Sequence, residues 1–231
     1  MTISAGIDTA PPCPQVTGAI LAGGSSRRFG QDKATLQLGG KPLARWVAAA
    51  LGPAVADLWL VTNHPLQHLS LGLPLVTDLV PFQGPVGGLA AALFYARTPW
   101  VLLASADTPL LTPALATALA GAAGSLTRPA LVCRTERGLE PFPGLYAVRL
   151  FNRVQDFLKE KRNFMGFLEG IRPSVWPPDS WRAYDPEGAS FENVNRPEDL
   201  TGLAARVPRQ HRDPGAGLSE TLNSNSPVRN V

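Results

Sequence analysis

The chain has 231 residues, of which 45% are hydrophobic, and a formal net charge of +3. This length and composition favour one domain with a full hydrophobic core, and the small net charge argues against a nucleic-acid-binding protein, in which a basic stripe is expected. Two isolated cysteines exclude a disulfide framework, and no apolar run approaches the roughly 18 residues of a membrane helix.

The two ends of the chain differ in composition from its centre. Residues 1–15 contain several prolines and show no hydrophobic period, and residues 208–231 are rich in Gly, Ser, Asn, Pro and Arg. Such segments bury too little apolar surface to offset the entropy lost on ordering, so we predict a disordered leader, a domain over residues 16–207 and a disordered tail. The N-terminus also lacks the basic and apolar regions of a signal peptide, which predicts a cytoplasmic protein.

Between these ends, strand and helix patterns alternate along the chain. Strands are predicted over residues 16–21, 57–62, 73–77, 100–105, 129–134 and 145–149. Helices are predicted over residues 42–51, 86–97, 113–121, 151–169 with a break near Asn163, and 197–206. This alternation predicts an α/β fold, with a single doubly wound, mostly parallel, Rossmann-like sheet and helices on both faces.

A glycine-rich loop over residues 21–33 follows the first predicted strand. Glycines free such a loop to bring its backbone amides close to a ligand, while hydroxyl groups and cations add donors and positive charge. The residues of these kinds are Gly23, Gly24, Ser25, Ser26, Arg27, Arg28, Gly30 and Lys33. Together they suit a polyphosphate, although the spacing matches neither the P-loop nor the dinucleotide-binding turn. A surface turn with solvated arginines is the alternative.

Polar residues follow three further predicted strands at their carboxyl ends, namely Asn63, Asp78 and Asp107. Ligands of an open parallel sheet bind beyond these ends, so the glycine loop and the three residues should meet at one site. Asp107 follows a buried strand, where a carboxylate is a good ligand for Mg²⁺, unless it caps the turn before the next helix. Asn63 and Asp78 are placed to contact a nucleotide, or else are ordinary turn residues.

Two of the histidines, His64 and His68, lie near the loop after the second of these strands. Their spacing of four residues would suit a metal ion only on a helix. Pro65 argues against a helix at this place, so no metal site is predicted from them.

Five segments, in this order, resemble the molybdenum cofactor guanylyltransferases, a family of the nucleotidyltransferase superfamily. The glycine loop has the form Leu-Ala-Gly-Gly-x-Ser-x-Arg-x-Gly-x-Asp-Lys. The later segments are Asp78, Gln83-Gly-Pro-Val-Gly-Gly-Leu, Ala106-Asp-Thr-Pro and Phe191-Glu-Asn-Val-Asn-Arg-Pro-Glu-Asp-Leu. The loop alone indicates the superfamily, and the last segment narrows the resemblance to the guanylyltransferases.

The resemblance implies a nucleotidyltransferase fold and the transfer of GMP from GTP to the phosphate of molybdenum-bound molybdopterin, with release of pyrophosphate. It implies Mg²⁺ on Asp107, and Lys33, Arg28 and Asp107 as catalytic residues. The implied nucleotide-binding residues are Leu21, Ala22, Gly23, Gly24, Lys33, Asn63, Asp78 and Asp107. The implied partners are GTP and molybdenum-molybdopterin, with transient contacts to molybdenum-insertion proteins or molybdoenzymes, and neither nucleic acid nor membrane.

Asn193 and Asn195 alternate within the last segment. On a strand both amides would face one side, where they suit a pterin edge with its mixed donors and acceptors. They could equally cap the helix predicted to begin at Pro197. The resemblance assigns this segment to the molybdopterin side of the cleft.

Two other functions remain alternatives. A cytidylyltransferase acting on the same cofactor, or a sugar-phosphate nucleotidyltransferase, would share the fold and the glycine loop. A non-catalytic nucleotide-binding regulator belongs to a different class, and the presence of Lys33 and Asp107 argues against it.

Overall fold

The computed structural model describes residues 13–22, 32–160 and 163–207. In these residues, the strands are β1 Cys13–Leu21, β2 Gln37–Leu38, β3 Lys41–Pro42, β4 Val55–Val61, β5 Leu75–Val76, β6 Trp100–Ser105, β7 Ala130–Thr135, β8 Gly138–Ala147 and β9 Ser174–Trp176. The α-helices are α1 Leu43–Leu51, α2 Pro65–His68, α3 Gly84–Tyr95, α4 Pro113–Gly121, α5 Phe151–Lys159, α6 Phe164–Ile171, α7 Pro178–Trp181 and α8 Pro197–Ala204. None of the helices in these ranges has both the length and the apolar character needed to cross a bilayer.

The described strands form one seven-stranded sheet in the order β5-β4-β1-β6-β8-β7-β9, beside the small β2–β3 hairpin. All neighbours in the large sheet are parallel except those of β8, which runs antiparallel to both β6 and β7. The chain passes from β1 outward to β4 and β5 and then returns to β6 on the other side of β1. Such a reversal leaves a crevice beyond the carboxyl end of β1.

Helices cover both faces of the sheet, because alternate side chains of a strand point to opposite layers. Ile20 and Leu102 pack into the core that contains α1 and α4. Ala19 and Leu103, their neighbours on the same strands, pack into the core that contains α3, α5 and α6. All four side chains are fully buried. The prediction of a doubly wound, mostly parallel sheet is confirmed.

The main strands and helices lie where the sequence predicts them, with differences at some boundaries. Strand β1 begins at Cys13 rather than at residue 16, so it extends into the predicted leader. The predicted strand over residues 145–149 is only the end of β8, which begins at Gly138. The first part of β8 is not predicted from the sequence because it contains Pro141 and Pro143, and proline cannot donate to a strand ladder. The predicted break near Asn163 is confirmed, because this residue caps α6 through a bond from Gly166 N to its Oδ1 (2.9 Å).

Candidate functional site

A cavity lies beyond the carboxyl ends of β1, β4 and β6, at the crevice that the sheet topology creates. Its lining includes six residues predicted for the site from the sequence: Leu21, Ala22, Lys33, Asn63, Asp78 and Asp107. The remaining predicted residues of the glycine loop, Gly23, Gly24 and Arg28, lie outside the described residues. The three residues predicted at strand ends, Asn63, Asp78 and Asp107, therefore meet at one site as expected.

Lys33 lines this cavity and begins a short 3₁₀ turn, Lys33–Thr35. Asp32 caps the turn, since its Oδ1 accepts a hydrogen bond of 2.8 Å from Ala34 N. The ammonium of Lys33 donates to Asp107 Oδ2 at 3.2 Å and to Asn195 Oδ1 at 3.1 Å. One cation thus joins a carboxylate and an amide that come from distant parts of the chain.

Asp107 lies directly after strand β6, and its carboxylate is about four-fifths buried (21% exposed). Ser105 Oγ donates to Asp107 Oδ1 at 2.6 Å, while Lys33 binds the other oxygen. The next helix, α4, is capped instead by Thr112, whose Oγ1 accepts from Leu115 N at 3.2 Å. The alternative that Asp107 caps this helix is therefore wrong, and its carboxylate faces the cavity.

Asn63 and Asp78 follow β4 and β5 and lie in contact. Asn63 Nδ2 donates to Asp78 Oδ2 at 2.8 Å, and both residues line the cavity. Burial raises the pKa of Asp78, and the hydrogen bond from Asn63 offsets part of this rise. The pair places an amide group and a partly buried carboxylate in contact on the cavity wall.

Asn193 and Asn195 do not lie on a strand: irregular backbone connects a 3₁₀ turn, Ala189–Phe191, to helix α8. The exposure of the side chains nevertheless alternates along this segment. Asn193 and Asn195 are exposed, and Val194 between them is fully buried. Val194 N donates to the backbone oxygen of Asp107 at 2.8 Å, which ties this segment to the end of β6.

Helix α8 is capped by Asp199, a residue of its own first turn. Asp199 Oδ2 accepts from the backbone N–H groups of Asn195 and Arg196, at 2.7 and 2.8 Å. The side chain of Asn195 is thereby left to accept from Lys33, and the capping alternative for Asn195 is wrong.

Two further residues, Asp32 and His68, were not predicted from the sequence. They contact each other next to Lys33. Contrary to the expectation from Pro65, a short helix does form there, because proline is tolerated in the first turn of a helix. Helix α2 brings His68 Nε2 to 3.2 Å from Asp32 Oδ1. The one signal in the sequence was the position of Asp32 directly before Lys33. Among the described residues, no cluster of three or more His, Cys, Asp or Glu side chains is arranged to hold a metal ion.

Glycines of helix α3 allow it to pack closely at the cavity wall. A Cβ at Gly88 would lie 2.6 Å from Leu21 Cδ2, and one at Gly87 would lie 2.6 Å from Gln83 Cβ. The contact with Leu21 accounts for Gly88, and the contact with Gln83, the residue before the helix, accounts for Gly87.

Comparisons with known proteins identify the family of the chain. Residues 18–173 match the family model of the MobA-like NTP transferase domain. The chain is 31% identical over 194 residues to a molybdenum cofactor guanylyltransferase of Desulfosudis oleivorans, covering 83% of this chain and 96% of the relative. It is 33% identical over 190 residues to the enzyme of the same name from Yersinia pseudotuberculosis, covering 80% of this chain and 93% of the relative.

A solved structure shares the fold. The molybdopterin-guanine dinucleotide biosynthesis protein A of Archaeoglobus fulgidus superposes with a TM-score of 0.73 at 26% identity, covering 82% of this chain and 97% of that protein. The match to the domain model ends at residue 173, so the segment with Asn193 and Asn195 lies beyond it. The chain belongs to the molybdenum cofactor guanylyltransferase family of MobA-like nucleotidyltransferases, and it is an enzyme.

Proposed function

We propose that the enzyme transfers GMP from GTP to the terminal phosphate of molybdenum-bound molybdopterin, forming molybdopterin guanine dinucleotide. The observation that carries the proposal is the bridge formed by Lys33 between Asp107 and Asn195. Asp107 belongs to the sheet edge where a nucleoside triphosphate would bind, and Asn195 to the segment assigned to the acceptor. A cation between them is placed where the phosphates of two anionic substrates have to approach.

The reaction needs charge neutralisation more than proton transfer. An oxygen of the acceptor phosphate forms a bond to the α-phosphorus of GTP, and the bond from that phosphorus to the bridging oxygen of the β-phosphate breaks, releasing pyrophosphate. The acceptor oxygen is already anionic, so no strong general base is required. Positioning and electrostatic stabilisation by Lys33, Arg28 and loop amides would supply the catalysis.

Asp107 fits the role of a magnesium ligand. Mg²⁺ is usually held by one or two carboxylates together with substrate phosphates and water, so a cluster of three acidic residues is not needed. One oxygen of Asp107 is fixed by Ser105, while the other, which Lys33 contacts, faces the cavity. When bound there, Mg²⁺ would neutralise charge on the α-phosphate and on the leaving pyrophosphate.

The wall formed by Asn63 and Asp78 would recognise the nucleoside. An amide and a carboxylate in contact offer a donor and an acceptor at fixed positions, as contacts to a base or a ribose require. Leu21, Ala22 and the first glycines of the loop, Gly23 and Gly24, would approach the nucleotide through their backbone.

The acceptor side would be formed by Asn193 and Asn195. Both side chains are exposed to solvent, Asn195 contacts Lys33 at the cavity, and a backbone bond from the buried Val194 between them joins the segment to Asp107. Two amides provide the mixed donors and acceptors that match a pterin edge. We also propose that the enzyme works in the cytoplasm and passes its product by transient contact to molybdenum-insertion proteins or molybdoenzymes.

Pyrophosphate release tests the proposal and separates it from its alternatives. Purified enzyme is mixed with Mg²⁺, molybdenum-molybdopterin and one of GTP, CTP, UTP or ATP, with parallel thermal shifts for each nucleotide alone. We expect release with GTP and the largest thermal shift with GTP. Preference for CTP would identify the cytidylyltransferase, and activity with a sugar phosphate as acceptor would identify a sugar-phosphate enzyme. Nucleotide binding without release under any condition would indicate a regulator.

A further inference from the structure

A buried histidine outside the proposed reaction contacts Asp32, the residue directly before Lys33. His68, at the end of helix α2, is fully buried. Its Nδ1 lies 2.8 Å from Thr62 Oγ1, and its Nε2 lies 3.2 Å from Asp32 Oδ1. The imidazole ring therefore connects the end of strand β4 to the residue that precedes Lys33.

The Asp32 carboxylate can only accept, so it favours a ring proton on His68 Nε2, the nitrogen that faces it. Thr62 Oγ1 accepts a bond of 2.9 Å from His64 N, and its hydroxyl hydrogen is available to His68 Nδ1. The remaining ring nitrogen, Nε2, then carries a proton toward the Asp32 carboxylate. This N–H is not aligned as a hydrogen bond, so the attraction between the two groups is mainly electrostatic.

Asp32 transmits this contact to Lys33. Its Oδ1 both faces His68 and accepts from Ala34 N, while its backbone oxygen accepts from Thr35 Oγ1 at 2.9 Å. Burial tends to raise the pKa of Asp32, but His68 and the Ala34 N–H outweigh that effect and lower it. An anionic Asp32 thus holds the turn whose first residue is Lys33.

We infer that His68 is a positioning residue for Lys33: the buried ring holds Asp32, and Asp32 fixes the turn that aims the Lys33 ammonium. The inference rests on the catalytic role proposed for Lys33. A histidine that only fills the core would stabilise the fold without any particular coupling to that lysine. The two roles therefore differ in what a second substitution at Lys33 does.

Two substitutions of similar size at His68 test its Nε2 contact with Asp32 separately from its Nδ1 contact with Thr62. His68→Gln places an amide nitrogen near the position of Nε2 and keeps a donor toward Asp32, whereas His68→Asn ends near Nδ1 and loses it. Misplacing a catalytic group by about 1 Å can lower a rate by roughly 100-fold, so we expect kcat/KM for pyrophosphate release to fall about 10- to 100-fold in His68→Asn. His68→Gln should recover most of this loss.

A double-mutant cycle with Lys33→Ala supplies the readout that a structural role would not produce. If His68 acts through Lys33, His68→Asn should add little further loss in the Lys33→Ala background. Melting temperatures of all variants show whether each one folds. Should His68→Asn fail to fold, Asp32→Asn tests the same link from its other end, because its amide still accepts from Ala34 N but has lost the charge that faces His68.

The outcomes are distinguishable. Equal losses from His68→Asn with and without Lys33 would overturn the inference, as would equal activity of the Gln and Asn variants. A defective Lys33→Ala beside a fully active His68→Asn would leave the proposed function in place and reject the positioning role alone. A fully active Lys33→Ala would reject the role of Lys33 and the inference with it.

Discussion

Lys33 is the residue on which both sides of the proposed reaction meet, since its ammonium contacts Asp107 and Asn195 together. Replacing it by Ala removes a preorganised cation from a site of dense negative charge. We expect Lys33→Ala to lower turnover by about two orders of magnitude, near 3 kcal/mol of transition-state stabilisation. Steady-state pyrophosphate release measures the effect.

The matched control is Lys159→Ala. Lys159 lies on helix α5, is 76% exposed and pairs with Asp156 on the same helix. Its loss removes the same charge far from the cavity, and turnover should stay normal. Equal activity of the two variants would contradict the role assigned to Lys33.

Asp107 provides the corresponding test for the metal ion. Asp107→Asn should fold with a normal melting temperature but lose Mg²⁺-dependent activity, because a neutral amide is a poorer ligand for a hard divalent cation. Titration of activity with Mg²⁺ measures the change, and Asp156→Asn, at an exposed carboxylate of α5, is the control. An unfolded Asp107→Asn would assign this residue a structural role, and so would an unchanged Mg²⁺ dependence.

Residues at strand ends could be predicted from the sequence, whereas their supports could not. Asn63, Asp78 and Asp107 follow apolar strands, and the carboxyl ends of parallel strands meet at one edge whatever the details of packing. The contact between His68 and Asp32 depends instead on a single turn of helix, too short to leave a hydrophobic period in the sequence. Such a contact is known only when the tertiary structure is known.

In the proposed function, the segment before helix α8 binds the acceptor and not GTP. Replacing both Asn193 and Asn195 by Ala should weaken molybdopterin binding and leave GTP binding unchanged, because each lost amide leaves hydrogen-bonding groups of the pterin unpaired, at about 1–3 kcal/mol each. Calorimetric titration of each ligand measures this, beside a melting curve. Asn152→Ala, at an exposed position of α5, is the control. Equal weakening of both ligands would return the pair to a structural role.

Helix α3 must pack closely against the end of β1 to form the cavity wall. Gly88→Ala would bring a Cβ to 2.6 Å from Leu21 Cδ2, so Leu21 or the helix has to move. We expect a loss of about 1–3 kcal/mol in the free energy of unfolding, as for other overpacked sites, together with weaker nucleotide binding. Chemical denaturation measures the first effect and thermal shift the second.

Gly202→Ala is the control for this substitution. Gly202 lies on helix α8. Apart from its chain neighbours and the backbone of its own helix, no described atom lies within 4 Å of the added Cβ. Alanine there should stabilise the protein by about 0.5–1 kcal/mol, since glycine is the poorer helix former. A gain in stability at both positions would show that the packing at Gly88 is loose.

Elements with a clear hydrophobic period were predicted, and those without one were missed. Strand β6 and helix α4 lie at their predicted boundaries, because an apolar run and a Thr-Pro start mark them in the sequence. Strand β9 has three residues, and the β2 and β3 strands have two each. Strand β9 forms only by pairing with the distant β7, and β2 and β3 form a hairpin too short to show an alternating pattern in the sequence.

At the scale of the whole molecule, one carboxylate links stability to pH. Burial raises the pKa of Asp78 in the folded state above its ordinary value, so ionising it costs more in the folded than in the unfolded chain. The cost is absent below the unfolded pKa, where both states hold the proton, and is complete above the folded pKa. The ligand-free enzyme therefore carries a destabilising charge at neutral pH.

Asp78→Asn should remove this cost while its amide oxygen still accepts from Asn63. We expect a higher melting temperature than wild type at about pH 7 and a difference that disappears toward about pH 4. Melting curves across this range measure it, and Asp57→Asn, at an exposed position of β4, controls for the loss of one negative charge. A difference that stays constant with pH would contradict the assignment.

The bond from Val194 N to the Asp107 oxygen also bears on how such enzymes diversify. The residues that line the cavity all lie in the part of the chain that matches the shared domain, whereas the segment with Asn193 and Asn195 follows that part and is joined to it by this backbone bond and by the contact of Asn195 with Lys33. Because the backbone bond uses main-chain atoms, side chains on either side of Val194 are free to change without loosening it. Under the proposed function, a different acceptor would therefore need changes at only a few residues around Val194, while the residues that line the cavity stay the same.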